Sequence, residues 1–165
     1  MKTCCFIGHR DMKETPELKE ELIKTVLNLI EEHGVREFLF GSKSSFDNLC
    51  LKTVTEIKEK YTDIKLIYYR SSYPNIDSAY KAYLLKSYDD TLMPSGIERA
   101  GKASYLERNQ KMIDKSDFCV FYYNKDYLPK VKNSKELFAR VSKSGTKVAY
   151  EYAEKKSKLI INLYK

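Results

Sequence analysis

The chain has 165 residues, of which 42% are hydrophobic and 32% are charged. This length and balance suit one folded domain with a hydrophobic core and exclude a disordered tail. Lysine and arginine number 30 against 23 acids, so the net charge of +7 favours anionic partners without identifying one.

The first part of the chain alternates short apolar runs with longer amphipathic stretches. Residues 3–7 predict a first strand. Residues 15–17, a threonine, a proline and a glutamate, have the capping hydroxyl, first-turn proline and acid of a helix start. The helix that follows has apolar residues at helical spacing and ends at Gly34, and residues 37–40 predict a second strand.

A second helix and a third strand are predicted next. Ser44 and Asp47 have the spacing of a capping box at a helix start. Residues 65–69 then predict the third strand. Residues 70–103 predict a long loop with a short helix over 78–87, and long loops in compact domains are often functional.

The last part of the chain continues the alternation. Ser104 and Glu107 have capping-box spacing and predict a helix through residue 115. The almost unbroken apolar run at 118–123 predicts a fourth strand that is covered on both faces. The remaining predicted elements are an irregular insert over 124–141 with one helical turn near 136–140, a helix after 142–146, and a fifth strand over 158–163.

Strands that alternate with helices imply right-handed crossovers and a parallel sheet. We therefore expect an α/β fold: a Rossmann-like, open, mainly parallel five-stranded sheet with helices on both faces. No internal repeat or linker divides the chain, so residues 1–165 are expected to form a single domain.

In an open parallel sheet, ligands bind beyond the carboxyl ends of the strands. The loops at those ends are rich in glycines, hydroxyls and cations, and two of them lead into helix starts that favour negative charge. Arg10, Lys43 or Arg108 could neutralise an anion held there. The candidate ligand-binding residues in and beside these loops are Gly8, His9, Arg10, Gly41, Ser42, Lys43, Ser44, Ser45, Asp47, Arg70, Asn124, Ser144, Gly145 and Thr146.

Each of these features also has an interpretation without a ligand. Gly41 and Gly145 fit simple turns, the serines fit helix caps, and Arg10 fits a surface arginine. Fourteen tyrosines add an aromatic component, and most of those in strands fit sheet packing. One of Tyr73, Tyr80, Tyr83 and Tyr105, in or near the irregular region, could stack on a base, and the sequence does not select which.

Several classes of protein are not indicated. No Gly-x-Gly-x-x-Gly follows the first strand and no Walker lysine motif occurs, so no cofactor is expected. The spacing of the four cysteines fits neither a disulfide scaffold nor a zinc site, so no metal is expected either. No signal peptide is recognised and no apolar run approaches the roughly 20 residues of a membrane helix, so we expect a cytoplasmic protein without a membrane partner.

Four segments, in order, carry a resemblance to a known family. They resemble a bacterial and phage branch of the SLOG superfamily, the Rossmann-like group that includes the cytokinin-activating lonely-guy phosphoribohydrolases and the DprA-type DNA-processing proteins. The resemblance spans essentially the whole chain. Its segments are Cys4-Cys5-Phe6-Ile7-Gly8-His9-Arg10, then Phe38-Leu39-Phe40-Gly41 with Phe46-Asp47, then Arg108-Asn109 with Met112 and Ile113-Asp114, and finally Ser144-Gly145-Thr146 with Tyr152-Ala153 and Lys155-Lys156.

The resemblance implies a nucleotide-derived ligand held by the first, second and last loops, with Arg108 and Asn109 among the binding residues. Some relatives cut N-glycosidic bonds. Others are sensor domains for signalling nucleotides in antiphage defence, and viral proteins of this fold could sequester such signals. Oligomerisation is also implied, as a dimer or tetramer that could complete the site.

The chain departs from the family pattern at two places. The second loop has one glycine, Gly41, where the branch usually has a Gly-Gly-x-Gly sequence. The phosphoribohydrolases place a catalytic glutamate where this chain has Ala149, and the nearest acids are Glu151 and Glu154. The first departure implies a ligand that differs or binds less closely, and the second puts phosphoribohydrolase chemistry in question.

Three functions follow in order of preference. The first is a module that binds a nucleotide or a nucleotide-derived signal, as a sensor or sponge. The second is a hydrolase or transferase of nucleoside N-glycosidic bonds, with Asp47 and Glu151 as candidate catalytic carboxylates and Glu98 and Asp114 as weaker ones. The third is a nucleic-acid-binding domain, for which the sequence has charge but no recognised motif.

Overall fold

The computed structural model describes residues 1–97, 101–128 and 143–165, and it has an α/β architecture. Strands and helices alternate along nearly the whole chain, as the apolar runs and amphipathic stretches predict. In these ranges the elements are β1 (Lys2–Gly8), α1 (Pro16–Glu31), β2 (Val35–Phe40), α2 (Ser45–Lys58), β3 (Lys65–Tyr69), α3 (Ser78–Leu84), β4 (Asp90–Leu92), α4 (Lys102–Lys115), β5 (Phe118–Tyr122), α5 (Gly145–Lys155) and β6 (Leu159–Asn162).

The strands form one sheet in the order β4-β3-β2-β1-β5-β6, and every pair in it is parallel. From β1 the chain builds outward through β2 and β3 to β4, then returns to the other side of β1 and continues to β6. The connections therefore diverge between β1 and β5, which is where an open α/β sheet leaves a crevice. The Rossmann-like fold expected from the sequence is confirmed.

Helices cover both faces of the sheet. Because side chains alternate along a strand, Cys4 and Phe6 of β1 pack on the face covered by α1 and α2, while Cys5 and Ile7 pack on the face covered by α4 and α5. Gly8, at the end of β1, lies under the ring of Phe46 from α2. An added Cβ there would be 2.3 Å from Phe46 Cδ1, so the close packing of α2 on β1 requires glycine.

The expected count of five strands is wrong, because β4 lies inside the predicted long loop. This three-residue strand is too short and too polar for its alternation to be visible in the sequence. It is held in register by a tertiary contact. The Asp89 amide donates to the Leu66 carbonyl (2.8 Å), and the Leu66 amide donates to the Asp89 carboxylate (2.7 Å).

The predicted start of the fourth helix is also wrong. The helix α4 begins at Lys102 after Gly101, whose φ of 70° is a left-handed conformation that glycine adopts easily. Ser104 lies in the first turn, where its hydroxyl donates to the Gly101 carbonyl (2.7 Å) instead of capping the helix. The helical turn predicted near residues 136–140 falls outside the described residues, as does Glu98.

Two expectations from composition can be compared with the structure. The four cysteines are buried and unpaired, three on strands and Cys50 on α2, as expected for small apolar side chains. Within the described ranges, none of the helices has the length and apolar character that crossing a membrane requires.

Candidate functional site

The candidate site lies where the carboxyl end of β2 meets α2 on one side and α4 on the other. Gly41 follows β2 directly, and an added Cβ there would be 2.6 Å from Met112 Sδ and 2.7 Å from Arg108 Nε. The missing side chain thus allows Arg108 of α4 to lie directly against the β2–α2 loop, residues 41–44. This close approach joins an arginine from one face of the sheet to a helix start on the other.

Asp47 braces the β2–α2 loop from within. Its Oδ2 accepts from the Ser42 amide (2.7 Å) and from the Ser42 hydroxyl (2.5 Å). Ser44 caps α2, since its hydroxyl accepts from the Asp47 amide (3.1 Å). The predicted capping box is therefore formed on the serine side only, because the Asp47 carboxylate reaches Ser42 and not the Ser44 amide.

The other oxygen of Asp47 is the most unusual atom of the site. The side chain is buried, with 3% of the residue exposed, and Oδ1 has no hydrogen-bond partner among the described residues. Burial raises the pKa of Asp47 from 3.8 to about 6, although the hydrogen bonds from Ser42 and the charge of Arg108 act against the shift. A carboxyl group held in this way is protonated at mildly acidic pH.

Arg108 is the second buried charge. The residue is 4% exposed, and burial lowers its pKa while the charge of Asp47 opposes that shift. Its Nε and Nη2 donate to Asn109 Oδ1 at 3.3 and 3.2 Å, at the long end for hydrogen bonds. Within the described ranges, no ion pair joins the guanidinium to the Asp47 carboxylate. Buried charges without a close partner are costly, and they cluster at functional sites.

The start of α2 offers fewer donors than its serines suggest. Both the amide and the hydroxyl of Ser45 donate to the Arg10 carbonyl (2.8 Å each), so they hold the β1–α1 loop against α2. Lys43 is different, since its side chain is exposed and its amide has no partner within the described ranges. The amide and the exposed ammonium group of Lys43 are both hydrogen-bond donors of the kind that bind anions.

At the crevice between β1 and β5, His9 links the two strands. The residue is 1% exposed, its Nε2 accepts from the Asn124 amide (2.8 Å), and its ring stacks on Tyr127 with centroids 3.9 Å apart. Burial lowers the pKa of His9, and an Nε2 that accepts a hydrogen bond must be unprotonated. His9 and Asn124 thus close the crevice with a neutral contact, and the side chain of Arg10 stays on the surface.

Arg70 organises a different loop. It is buried at the end of β3, where its amide donates to the Leu92 carbonyl (2.8 Å) and its Nη1 donates to the Tyr73 carbonyl. Its Nε has no partner among the described residues. The described contacts bring Arg70 to the loop between β3 and α3 and not to Arg108.

The last candidate loop lies at the start of α5. Ser144 caps this helix by accepting from the Lys147 amide (3.1 Å), and Thr146 is buried. Gly145 packs on α4, and a Cβ added to it would be 3.8 Å from Leu106, an ordinary contact. Because α5 packs on α4, this loop is joined to Arg108 through a shared helix.

Among the proposed carboxylates that the structure describes, only Asp47 lies in the site. Glu151 is exposed on α5 and forms an ion pair with Lys143 (2.8 Å). Asp114 accepts from the Tyr152 hydroxyl (2.9 Å). No contact between described residues brings either of them to Asp47.

Two shallow clefts lie beside the site. One of about 380 Å³ lies on the outer side of α2, and one of about 260 Å³ lies beyond β5 and β6. Neither is lined by Asp47 or Arg108. We place the site at the buried charges because packing alone does not account for them, whereas open surface clefts are common. The clefts are lined by Met12, Glu14, Ser45, Asn48, Leu49 and Lys52, and by Tyr123, Asn124, Lys125, Asp126, Tyr150, Asn162 and Tyr164.

Sequence reasoning missed part of this arrangement. Tyr68 and Tyr88, whose rings stack with centroids 5.0 Å apart, lie near Asp47. In the sequence, the position of Tyr68 in a predicted strand indicates sheet packing only. Tyr127, the partner of the His9 ring, lies in an irregular insert without any periodic pattern. Nothing local in the sequence marks these tyrosines, since their positions depend on which strands become neighbours.

Comparison with known protein families identifies a related family. A family model described as the YspA SLOG family matches residues 5–154, a range that extends from β1 into the last turn of α5. It contains Gly41, Asp47 and Arg108. No curated protein matches the chain.

Proposed function

The chain belongs to the YspA SLOG family, and from this premise we propose that it binds a nucleotide-derived signalling molecule whose phosphate lies at the β2–α2 loop. Membership in the family suggests nucleotide-related binding or modification. The observation that carries the finer proposal is the position of Arg108, which is buried against Gly41 without an ion pair to Asp47.

A phosphate suits this arrangement on three physical grounds. A planar guanidinium donates two parallel hydrogen bonds to phosphate oxygens, and its charge acts more strongly where water is excluded. The N-terminus of the fourteen-residue helix α2 adds the favourable end of its dipole. The amide and ammonium of Lys43 supply further donors at the mouth of the site.

The same geometry favours binding without turnover. Asp47 uses one oxygen to brace the loop, Glu151 is engaged by Lys143 on the surface, and Ala149 occupies the position of the glutamate in the phosphoribohydrolases. We therefore propose a cytoplasmic sensor or sponge, in antiphage defence or in its evasion. On family grounds we propose that it acts as a homodimer or homotetramer.

One observation favours a second candidate, an enzyme that hydrolyses or transfers N-glycosidic bonds. A buried carboxyl group with a pKa of about 6 has the property of a general acid or base near neutral pH. In this case Asp47→Asn should abolish turnover and leave binding largely intact. Full turnover by the variant would remove Asp47 from that role.

The decisive experiment is a calorimetric binding panel of mononucleotides, ADP-ribose and cyclic di- and trinucleotides, followed by chromatography of each incubated ligand. Binding with the ligand recovered intact supports the sensor or sponge. Release of a free base or a ribose phosphate supports the enzyme. A panel in which nothing binds overturns the proposal.

The role of the β2–α2 loop is tested by Lys43→Gln. Lys43 is exposed at the site, so its loss should weaken binding of the best ligand by about five- to tenfold without affecting folding. The matched control is Lys52→Gln, which makes the same charge change on the exposed side of α2. Equal effects of the two variants on the calorimetric affinity would contradict a phosphate at this loop.

A further inference from the structure

Two exposed tyrosines lie beside the cations of the candidate site. Tyr83 on α3 is 57% exposed and Tyr105 on α4 is 50% exposed. The Lys43 ammonium is 5.8 Å from the centre of the Tyr83 ring, and the Arg108 guanidinium is 5.5 Å from the centre of the Tyr105 ring. Each ring therefore lies beside one of the two cations and keeps about half of its residue's surface exposed to solvent.

The rings are held in place by their helices. Tyr105 precedes Arg108 by three residues on α4, a spacing that puts both side chains on one face of a helix. Tyr83 has the same spacing from Tyr80 on α3, and their rings are nearly parallel with centroids 6.3 Å apart. Aromatic side chains with few rotatable bonds, oriented in this way, lose little entropy when a flat ligand stacks on them.

Two half-buried tyrosines, Tyr68 and Tyr88, accompany the buried charges. Their rings stack on each other with centroids 5.0 Å apart. Burial raises the pKa of both hydroxyls, and the nearby charge of Asp47 acts in the same direction. The surroundings of Asp47 are therefore aromatic as well as charged.

We propose that Tyr83 and Tyr105 bind the base of the ligand, so that the ligand class is a nucleotide with an aromatic base and not a bare sugar phosphate. The inference rests on the proposed function, since it places the base beside the phosphate site. Every nucleobase has a flat face that stacks on tyrosine, while the adjacent cations hold the phosphate. Packing does not require half-exposed rings at these two positions.

The test compares ligands with and without a base by calorimetry. The probes are the four common mononucleotides and cyclic di-AMP, with ribose 5-phosphate as the base-free probe. The best nucleotide should bind about tenfold or more tightly than ribose 5-phosphate, since stacking one base contributes an effect of this order. Saturation-transfer NMR should place the strongest protein contact on the base protons.

Variants then assign the effect to the two rings. Tyr83→Leu and Tyr105→Leu should each weaken nucleotide binding by about five- to tenfold and leave ribose 5-phosphate binding unchanged. Tyr164→Leu is the matched control, because Tyr164 is an exposed tyrosine beyond β6, at the edge of the sheet farthest from β4. Light scattering on every variant monitors the molar mass.

The outcomes separate this inference from the function on which it rests. If ribose 5-phosphate binds as tightly as any nucleotide, the base site is wrong and the phosphate site stands. If the nucleotide preference survives in the double variant, or if the variants change only the molar mass, these rings do not bind a base. If no probe binds, the proposed function itself is wrong.

Discussion

At the residue scale, the properties of Asp47 come from its burial more than from its position in a motif. A first-turn acid normally faces solvent and the helix dipole. Here the Ser42 hydrogen bonds draw the side chain into the loop, where Oδ1 is left without a partner among the described residues. The same side chain thus braces the loop and carries a destabilising charge.

This arrangement predicts a specific dependence of stability on pH. Native Asp47 keeps its proton up to about pH 6, whereas the unfolded chain releases it near 3.8. Between these values the native state binds more protons, so the Asp47 contribution to the free energy of unfolding falls as pH rises and levels off above about pH 6. The variant Asp47→Asn removes the charge and keeps an oxygen for Ser42. The free energy of unfolding of the variant, minus that of the unsubstituted protein, should therefore rise over this window by roughly 1–3 kcal/mol.

Urea unfolding at about pH 4.5 and about pH 7.5 measures this difference. Glu20→Gln is the control, since the contact that Glu20 makes in the described part of the chain is an exposed ion pair with Lys24. A relative stability of Asp47→Asn that is the same at both pH values would show that the carboxyl group titrates normally. A loss of stability at the higher pH would show that the negative charge is favourable in the fold.

His9 is a candidate ligand contact in the sequence that makes structural contacts in the fold. In the sequence it follows the first strand and is a candidate ligand contact. In the structure its ring stacks on Tyr127 and its Nε2 accepts from the Asn124 amide, while its Nδ1 is buried without a hydrogen-bond partner among the described residues. A ligand contact by His9 remains a prediction.

At the element scale, the glycines of the candidate loops differ in what they do. Gly8 lies beneath Phe46 and makes the packing of α2 on β1 possible. Gly41 makes room for Arg108, and Gly145 begins α5 where an added Cβ would make an ordinary contact with Leu106. Glycines of the three candidate loops therefore differ in role: Gly8 serves packing, Gly41 serves site formation, and Gly145 serves neither.

Substitution by alanine should separate these roles. Gly8→Ala should lower the free energy of unfolding by about 1–3 kcal/mol, because its Cβ would overlap the fully buried ring of Phe46. Gly145→Ala should leave stability unchanged or raise it by up to about 1 kcal/mol, because alanine favours a helix and its Cβ would meet Leu106 at an ordinary contact distance. Urea unfolding of both variants checks the pair, and a Gly145→Ala chain that is less stable than Gly8→Ala would contradict this packing.

Two element boundaries depend on contacts outside the element. Strand β4 exists because Asp89 pairs with Leu66 on β3, and its own three residues have no strand pattern. Helix α4 begins at Lys102 because Gly101 takes a left-handed conformation, and the Ser104 hydroxyl then turns back to Gly101. In both cases a local sequence signal was absent or misleading, and a neighbouring residue set the boundary.

At the scale of the whole molecule, the net charge is +7, and part of the positive charge is engaged in ion pairs. Lys19, Lys24, Lys58, Lys143 and Lys165 each form an ion pair with an acid in the described part of the chain. Exposed pairs of this kind contribute little to stability. They also dilute the positive charge that a nucleic acid would need along one face.

Salt dependence therefore distinguishes a nucleotide ligand from a nucleic acid. A ligand held by one phosphate contact should lose only about fourfold in affinity between roughly 50 and 200 mM salt. A nucleic acid held by six to ten phosphate contacts would lose roughly 10³–10⁵ over the same range. Calorimetry with AMP and fluorescence anisotropy with a labelled DNA oligonucleotide measure the two slopes. Tight DNA binding with the steep slope would favour the nucleic-acid-binding alternative over the nucleotide site.

The sequence alone determined the order of the elements apart from β4, the parallel sheet and the edge at which the candidate loops are expected. These follow from periodicity and from the chirality of strand–helix–strand connections, which are local properties of the chain. Only the tertiary structure decided that Arg108 lies on Gly41, that Asp47 reaches Ser42, that His9 accepts from Asn124, and that β4 joins the sheet. Each of these contacts depends on how closely two elements approach, and close packing sets that distance through side chains far apart in the sequence.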